Sequence, residues 1–440
     1  MPKREEHRVA EVYGVVRRGV PLTYVSRPKV DDRFLNEITR DQHIVIYGTS
    51  KQGKSSLIIT ALEDADYVAI QCATNWSKRD LYAAVLKELD VALIESTTRS
   101  TARSSELSAQ AGVEGGTSWI AKVTGSAGAK AGRTNTDSQV EKTIPINLDS
   151  GLDIIRVLEG MDFDRFIVVE DFHYLPLSVQ REFASDLKAF YERSKVSFIL
   201  VGVWLEANRL IVYNGDLAGR ITSIPADTWT SEELARVVRS GEPYLNIKFA
   251  DAVVNELVKR SQQNVGLLQE ALRQMCIGRD IFSTVETTAT FEDLAEVETA
   301  YAYVAEQLAT RYANFINKFS EGLRDQVLHM YKWVMHAVIS TSAEDRRAGL
   351  KAMDIVRHVQ QVHPRRDGVY QNSVMAALDN VAKVQSHADI TPVIFDYDNT
   401  HKRLNIVDNG FLIYLDSTPA EEALGFLASF SNEEAPNTPS

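Results

Sequence analysis

The sequence has little of what would staple a chain covalently or hold it in a membrane. Cysteine occurs only twice in 440 residues, at Cys72 and Cys276, which excludes a disulfide framework and a thiolate metal cluster. No stretch approaches the ~20 uninterrupted apolar residues of a membrane-spanning helix, so no membrane partner is expected. The opening MPKREEHRVAEVYG lacks the apolar core of a secretory signal, which makes the cytoplasm the expected compartment. Positive charge is not in excess either. The net charge is −12, which speaks against a dedicated coat of nucleic acid but leaves room for a local basic patch. His358 and His363 have no cysteine or glutamate at metal-ligand spacing, and no G-x-S-x-G elbow or nuclease-type carboxylate cluster occurs. A built-in effector is therefore not expected.

What is present is a globular composition, 44% hydrophobic and 25% charged. The length suits two to four domains at ~100–200 residues each. Residues 43–47, 67–71, 166–169 and 198–203 are short Val- and Ile-rich runs, apolar on both faces, which predicts buried strands of a parallel sheet. Helical patterns at 55–65, 78–89, 152–159 and 179–194 alternate with them. That alternation predicts an α/β fold, a three-layer αβα core around the parallel sheet.

From 96 to 136 a Ser-, Thr-, Ala- and Gly-rich stretch interrupts the pattern, and residues 119–124 alternate like a β-hairpin. Within it Arg99, Arg103, Lys122, Lys130 and Arg133 face only Glu106 and Glu114. It is either a surface insertion or a basic loop offered to a partner or a nucleic acid. Further helical patterns follow at 231–240, at 250–277 with Gly266 as an interruption, at 291–314 and at 319–339. Helices over 352–361 and 370–385, then alternating runs at 393–397 and 404–407, have the order of a winged helix. From about Thr418 the chain is expected to fray.

The chemistry concentrates at Gly48-Thr49-Ser50-Lys51-Gln52-Gly53-Lys54-Ser55, a complete G-x-x-x-x-G-K-[ST] between a strand pattern and a helix pattern. Gly48 and Gly53 permit a backbone that turns successive N–H groups inward as a cradle for anionic oxygens. The helix that follows adds the partial positive charge of its N-terminus. Lys54 is expected to reach the β- and γ-phosphates, and Ser55 to ligate Mg²⁺; with Ser56 these residues form the expected nucleotide-contacting set. The apolar run 166–169 ends in Glu170 and Asp171, carboxylates placed where a metal-bound nucleotide needs them. Glu170 is assigned to the metal and Asp171 to the base, and the Glu-Asp order leaves the reverse assignment open. A base as short as aspartate stands further from the attacking water, which predicts slow hydrolysis.

On these motifs the sequence resembles the AAA+ superfamily, in particular the branch joining origin-recognition-type initiators, transposition regulators and STAND signalling ATPases. The resemblance runs over roughly residues 20–416 in order of parts. It is motif-specific at the phosphate loop, the acidic strand end and Gly215-Asp216-Leu217-Ala218-Gly219-Arg220-Ile221. It implies a segment 1–40 that closes on the base, an ATPase core at 41–230, a helical lid at 231–315, a helical connector with winged helix at 316–416, and a flexible tail at 417–440. ATP and Mg²⁺ are the implied cofactors.

Arg220 is the implied catalytic arginine, offered to the nucleotide of a neighbouring subunit, which requires a homo-oligomer; an arginine salt-bridged at a helix end is the alternative. Arg209 is a second candidate. Tyr24-Val25-Ser26-Arg27-Pro28 stands where such ATPases close over adenine, with Val25 or Pro28 as contacts. Two departures point from a fast motor to a switch. Residues 201–204 read Val-Gly-Val-Trp where a polar γ-phosphate sensor is usual, and Gln269 stands where a lid arginine is usual, with Arg273 one turn later.

The implied function is an ATP-binding, slowly hydrolysing switch that oligomerises and regulates a separate effector protein, of the kind found in bacterial defence. The alternative is a DNA-associated ATPase. Its contacts would come from Gln371, Asn372, Ser373 and Lys383 on the last helix, and from Arg346, Arg347, Lys351, Arg357, Arg365 and Arg366 before it. His173, two residues beyond Asp171, is expected to be structural.

Overall fold

A computed structural model describes residues 5–14, 19–96, 118–125, 140–227, 229–323, 328–390 and 392–428. Arg99, Arg103, Lys130 and Arg133 of the basic insertion, with Glu106 and Glu114, lie outside them. Five strands, β1 (His43–Tyr47), β2 (Tyr67–Gln71), β3 (Phe166–Glu170), β4 (Phe198–Val201) and β5 (Ile221–Pro225), form a parallel sheet in the order β2-β3-β4-β1-β5.

Both faces are covered. Ile44, Ile46, Val168 and Ile199 meet Leu57 and Ile58 of helix α1 (Lys54–Ala61) together with Val30 and Phe34. On the other face Val45, Ile167, Val169 and Leu200 meet Leu158, Phe183, Leu187 and Phe190. Burial on both faces is why the strands read as unbroken apolar runs, and the expected three-layer core is observed. The strand not anticipated is β5, Ile-Thr-Ser-Ile-Pro. It sits at the sheet edge, where polar side chains and a proline are tolerated.

The hairpin expected at 119–124 is instead the middle strand of three. Ser118–Gly125 pairs antiparallel with both Ala92–Ser96 and Val140–Ile146. Its partners are distant in sequence, so local alternation shows the strand but not its pairing.

Beyond β5, helices Ser231–Leu245, Asp251–Arg260, α2 (Val265–Ile277) and the first part of α3 (Leu294–Glu321) enclose Leu234, Val237, Leu257, Leu268, Leu272 and Val297. This is the helical lid. Its chain break falls at 261–264 and not at Gly266: the Asn264 side chain accepts from the Leu267 amide and caps α2. Asparagine satisfies an otherwise orphaned donor there, and Gly266 lies inside the first turn.

The end of α3 shares a second aromatic core with the C-terminal helices and a three-stranded antiparallel sheet formed by Leu350–Lys351, Phe395–Asp398 and Arg403–Ile406. Tyr312, Phe315, Phe319, Phe395 and Phe411 pack edge to face or tilted within it. The helix expected over 370–385 is divided at Asn380 into Gln371–Asp379 and Val381–His387. Residues expected to fray from Thr418 begin with helix Ala420–Ala428, whose Ala423 and Leu427 are buried. That i,i+4 pair needs the face offered by α3 and Met330–Ser340 before it can hold a helix. No helix among the described residues is long and apolar enough to cross a membrane.

The αβα core and the C-terminal sheet meet at a buried polar seam. Arg209 Nη1 lies 2.9 Å from Asp396 Oδ1. Beside it the Glu206 carboxyl is hydrogen-bonded to Asp398, and burial together with that bond raises the Glu206 pKa to about 8. Burial works against ionisation of Asp398, yet the bonds from Glu206 and from the His401 and Thr400 groups hold its pKa at about 2. Glu206 thus keeps its proton in the fold, while its ordinary value is 4.5. Stability from that proton is full below the ordinary value and lost as pH rises through about 8. Thermal unfolding followed from pH 5 to 9 is expected to show a steeper loss in wild type than in Glu206→Gln, whose amide donates without titrating. The difference should be on the order of 2–4 °C. Equal slopes would refute the shared proton.

Candidate functional site

The phosphate loop connects β1 to α1 and keeps its shape through left-handed backbone at Lys51 (φ 61°) and Gly53 (φ 79°). Gly48, at φ 141°, is required for a second reason. A Cβ there would stand 2.6 Å from Asp227 Oδ1. Asp227 follows β5 and accepts from the Thr49 amide at 2.7 Å and from the Thr49 hydroxyl at 2.9 Å. The loop is thus buttressed by a carboxylate from the neighbouring strand, a partner the sequence did not reveal because β5 was not read as a strand.

Lys54 is buried, and its ammonium donates to the Gly48 carbonyl at 3.1 Å and the Thr49 carbonyl at 2.5 Å. Burial lowers its pKa to about 8, against the opposing pull of Asp227, Glu170 and Asp171. An ammonium held ready over a loop of amides is suited to donate to phosphate oxygens in place of those carbonyls.

Parallel pairing of β3 with β2 and β4 brings the strand-end carboxylates to the same rim. Burial raises the Glu170 pKa, and a hydrogen bond with the Ser55 hydroxyl works in the opposite direction. Ser55 and Glu170 are therefore neighbours, an all-oxygen pair of the kind a hard divalent cation takes. Asp171 adopts left-handed backbone (φ 56°), a conformation aspartate tolerates better than most residues. Its carboxylate accepts from Gln71 Nε2 at 2.9 Å.

These groups line one cavity of about 440 Å³. Ser50, Lys51, Gln52, Gly53, Lys54, Ser55, Ser56, Glu170 and Asp171 border it, while Gly48 and Thr49 stand behind it, towards Asp227. Tyr24, Val25 and Arg27 close another side; Pro28 does not, and opens helix Pro28–Glu37 instead. Arg27 is almost fully buried, stacks 4.3 Å above Trp229 and donates to the Ala226 carbonyl at 2.7 Å. Val201 and Val203 border the cavity, leaving the fourth-strand position apolar as the sequence reads. From the lid come Gly266 and Gln269, while Arg273 is tied to Glu270 and does not reach the cavity.

Arg220 stands elsewhere. It immediately precedes β5, and the register pairs Ile221 with His43 and Pro225 with Tyr47. Arg220 therefore lies at the end of the sheet away from the phosphate loop, roughly 17 Å along a five-residue strand. Its guanidinium pairs with Glu192 at 2.9 Å and with the Asp216 carbonyl at 2.5 Å. Arg209 is committed to the seam with Asp396. His173 is half-buried, with both ring nitrogens shielded from solvent and neither hydrogen-bonded, and desolvation together with the charges of Lys54 and Arg209 lowers its pKa to about 3.

One contact was not legible in the sequence at all. The Ser50 amide donates to the Val407 carbonyl at 3.3 Å, and Asn409 Nδ2 reaches the Thr49 hydroxyl at 3.5 Å. The C-terminal part of the chain therefore rests on the outside of the phosphate loop.

A family model described as an AAA domain matches residues 37–211. Among solved structures the chain is similar to the Walker-type ATPase paby2304 of Pyrococcus abyssi, at 12% identity and a TM-score of 0.52, over 92% of this chain and 99% of that one. It is also similar to the ORC1 protein of Aeropyrum pernix, solved in complex with DNA, at 10% identity and a TM-score of 0.45 over 97% of both chains. No curated protein matches the sequence. The matched stretch contains both the phosphate loop and the carboxylate pair at the end of β3, so residues 37–211 of this chain are similar to an AAA domain, and the fold is that of a P-loop ATPase.

Proposed function

We propose that this chain binds ATP with Mg²⁺, hydrolyses it slowly, and works as a nucleotide-dependent switch whose C-terminal part transmits the state of the site to a partner effector. The observation that carries the relay is the bond from Ser50 to Val407: a change in loop conformation cannot leave that contact untouched. In this reading the loop amides, Lys54 and the start of α1 hold the phosphates. Ser55 and Glu170 hold Mg²⁺, which neutralises phosphate charge, and Asp171 orients the attacking water. Apolar Val201 and Val203 and the tied-off Arg273 leave the γ-phosphate with few sensors, consistent with slow turnover. Arg220 acts on the nucleotide of a second copy, since it lies far from its own.

A second reading is a DNA-associated ATPase. It is favoured by the C-terminal order helix, strand, three helices, strand, strand, which is similar to that of a winged helix with its last helix divided at Asn380, and by Tyr370, 70% exposed, just ahead of helix Gln371–Asp379. Arg365 and Arg366 stand beside it.

Molecular mass in solution, measured with ATP, with ADP and without nucleotide, each with and without duplex DNA, separates the two. Growth with ATP alone, lost in Arg220→Ala with nucleotide affinity kept, is the outcome expected of the switch. Growth only with DNA, abolished by Arg365→Ala/Arg366→Ala, favours the second reading. An unchanging monomer refutes both assemblies.

A further inference from the structure

The cations around the cavity differ in what already holds them. Lys54 is bonded to the Gly48 and Thr49 carbonyls, and Arg27 is buried over Trp229 with Nη1 on the Ala226 carbonyl and Nε 3.8 Å from Asp31, although Nε and Nη2 make no hydrogen bond. Arg273 is paired with Glu270 and lies outside. Lys51 is different. It is exposed, lines the cavity, and among the described residues its ammonium enters no hydrogen bond or ion pair.

Lys51 is also where lid and phosphate loop come together. Gly266, in the first turn of α2, approaches so closely that a Cβ there would stand 2.7 Å from Lys51 Cβ and 3.1 Å from the Lys51 carbonyl. Any larger residue at 266 holds the lid off the loop, because real Cβ atoms do not tolerate such distances and one of the two opposing atoms is backbone. The charge of Lys51 is felt on the lid itself, where it helps lower the pKa of Glu270. The other lid and fourth-strand positions that face the cavity, Val237, Val265, Gln269, Val201 and Val203, carry no charge.

We propose that Lys51, seated beneath Gly266 of the lid, is the residue by which this site distinguishes a nucleoside triphosphate from a diphosphate. The inference rests on the ATP-binding reading above and deepens it. The triphosphate carries additional negative charge at its free end. Among the described residues, Lys51 is the exposed cation at the lid–loop junction whose ammonium is in no hydrogen bond or ion pair. A lid resting on the loop confines that ammonium and excludes water around it, which strengthens its interaction with phosphate. Glycine at 266 is what lets the lid come down.

The test is calorimetric binding of Mg-ATP and of Mg-ADP to the full chain as wild type, Lys51→Ala, Lys51→Arg and Gly266→Ala. Lys51→Ala is expected to weaken ATP about tenfold, the scale of one charged hydrogen bond, and to leave ADP within about twofold. Lys51→Arg restores most of the discrimination. Gly266→Ala, on a different element, reduces the ATP-to-ADP preference likewise, and the double variant is no worse than Lys51→Ala because both remove one interaction. Retained ADP affinity shows that each variant is folded. Wild-type preference in Lys51→Ala overturns the inference and leaves ATP binding standing, and wild-type preference in Gly266→Ala overturns the part given to the lid. A wild-type chain that binds neither nucleotide overturns the ATP-binding reading itself.

Discussion

Lys54→Ala is expected to weaken ATP and ADP alike by at least about a hundredfold, while thermal stability holds or rises. A buried ammonium bonded to two loop carbonyls exchanges neutral acceptors for charged phosphate oxygens. Each such charge-assisted bond contributes about 1.5–3 kcal/mol net, so losing two or more accounts for the factor. Stability does not fall with affinity because the ammonium is costly to bury and, among the described residues, is in no ion pair, the carboxylates of Asp227, Glu170 and Asp171 only partly offsetting that cost.

The pKa of about 8 adds a signature. Phosphate favours the charged ammonium and raises that pKa, so binding takes up protons at and above pH 8, and affinity declines as pH rises further. Titration calorimetry in buffers of different ionisation enthalpy detects the uptake directly. Tight ATP binding by Lys54→Ala, or uptake unchanged by that substitution, would contradict the placement of this residue.

The second large effect is on turnover. Asp171→Asn is expected to keep ATP affinity within about threefold and to cut hydrolysis by ~10²–10⁴, the range attributed to general-base catalysis. Glu170→Gln is expected to act on Mg²⁺ instead: the cation concentration for half-maximal binding or turnover rises several-fold. The neighbouring Ser55 hydroxyl and Glu170 carboxylate support that division, as does the orientation of Asp171 by Gln71. Phosphate release measured across a Mg²⁺ titration distinguishes the two carboxylates. A Mg²⁺ shift in Asp171→Asn with full loss of turnover in Glu170→Gln would reverse their roles, and full turnover in both variants would remove them from the chemistry.

Legibility in the sequence followed the range of the interaction. The position and backbone shape of the loop between β1 and α1 were readable because they reside in consecutive backbone groups, and two glycines with a Lys-Ser pair specify that backbone almost alone. The core strands were readable because burial on both faces leaves nothing but apolar side chains. Strand β5 was not, since at the sheet edge Thr222, Ser223 and Pro225 are permitted. With it went Asp227, which acquires meaning only as the residue next to β1.

The lid break was placed two residues late, at Gly266, since glycine usually marks an interruption; here Asn264 ends the loop and glycine serves a close approach instead. Helix Ala420–Ala428 was read as the start of a frayed tail because its apolar pair has no value without α3 to cover it.

By itself the sequence determined that a glycine-rich loop of phosphate-loop pattern joins a buried strand to a helix, that two carboxylates end another strand, and that Val201, Val203 and Gln269 put no charge in fourth-strand or lid positions. These are matters of residue type along a continuous backbone. Only the tertiary structure decided which groups from elsewhere complete the loop. Asp227 buttresses it, Gly266 lets the lid rest on Lys51, and Val407 brings the C-terminal part against its outer side. Each depends on elements far apart in the chain being packed within a few ångströms, and sequence spacing holds no record of that distance.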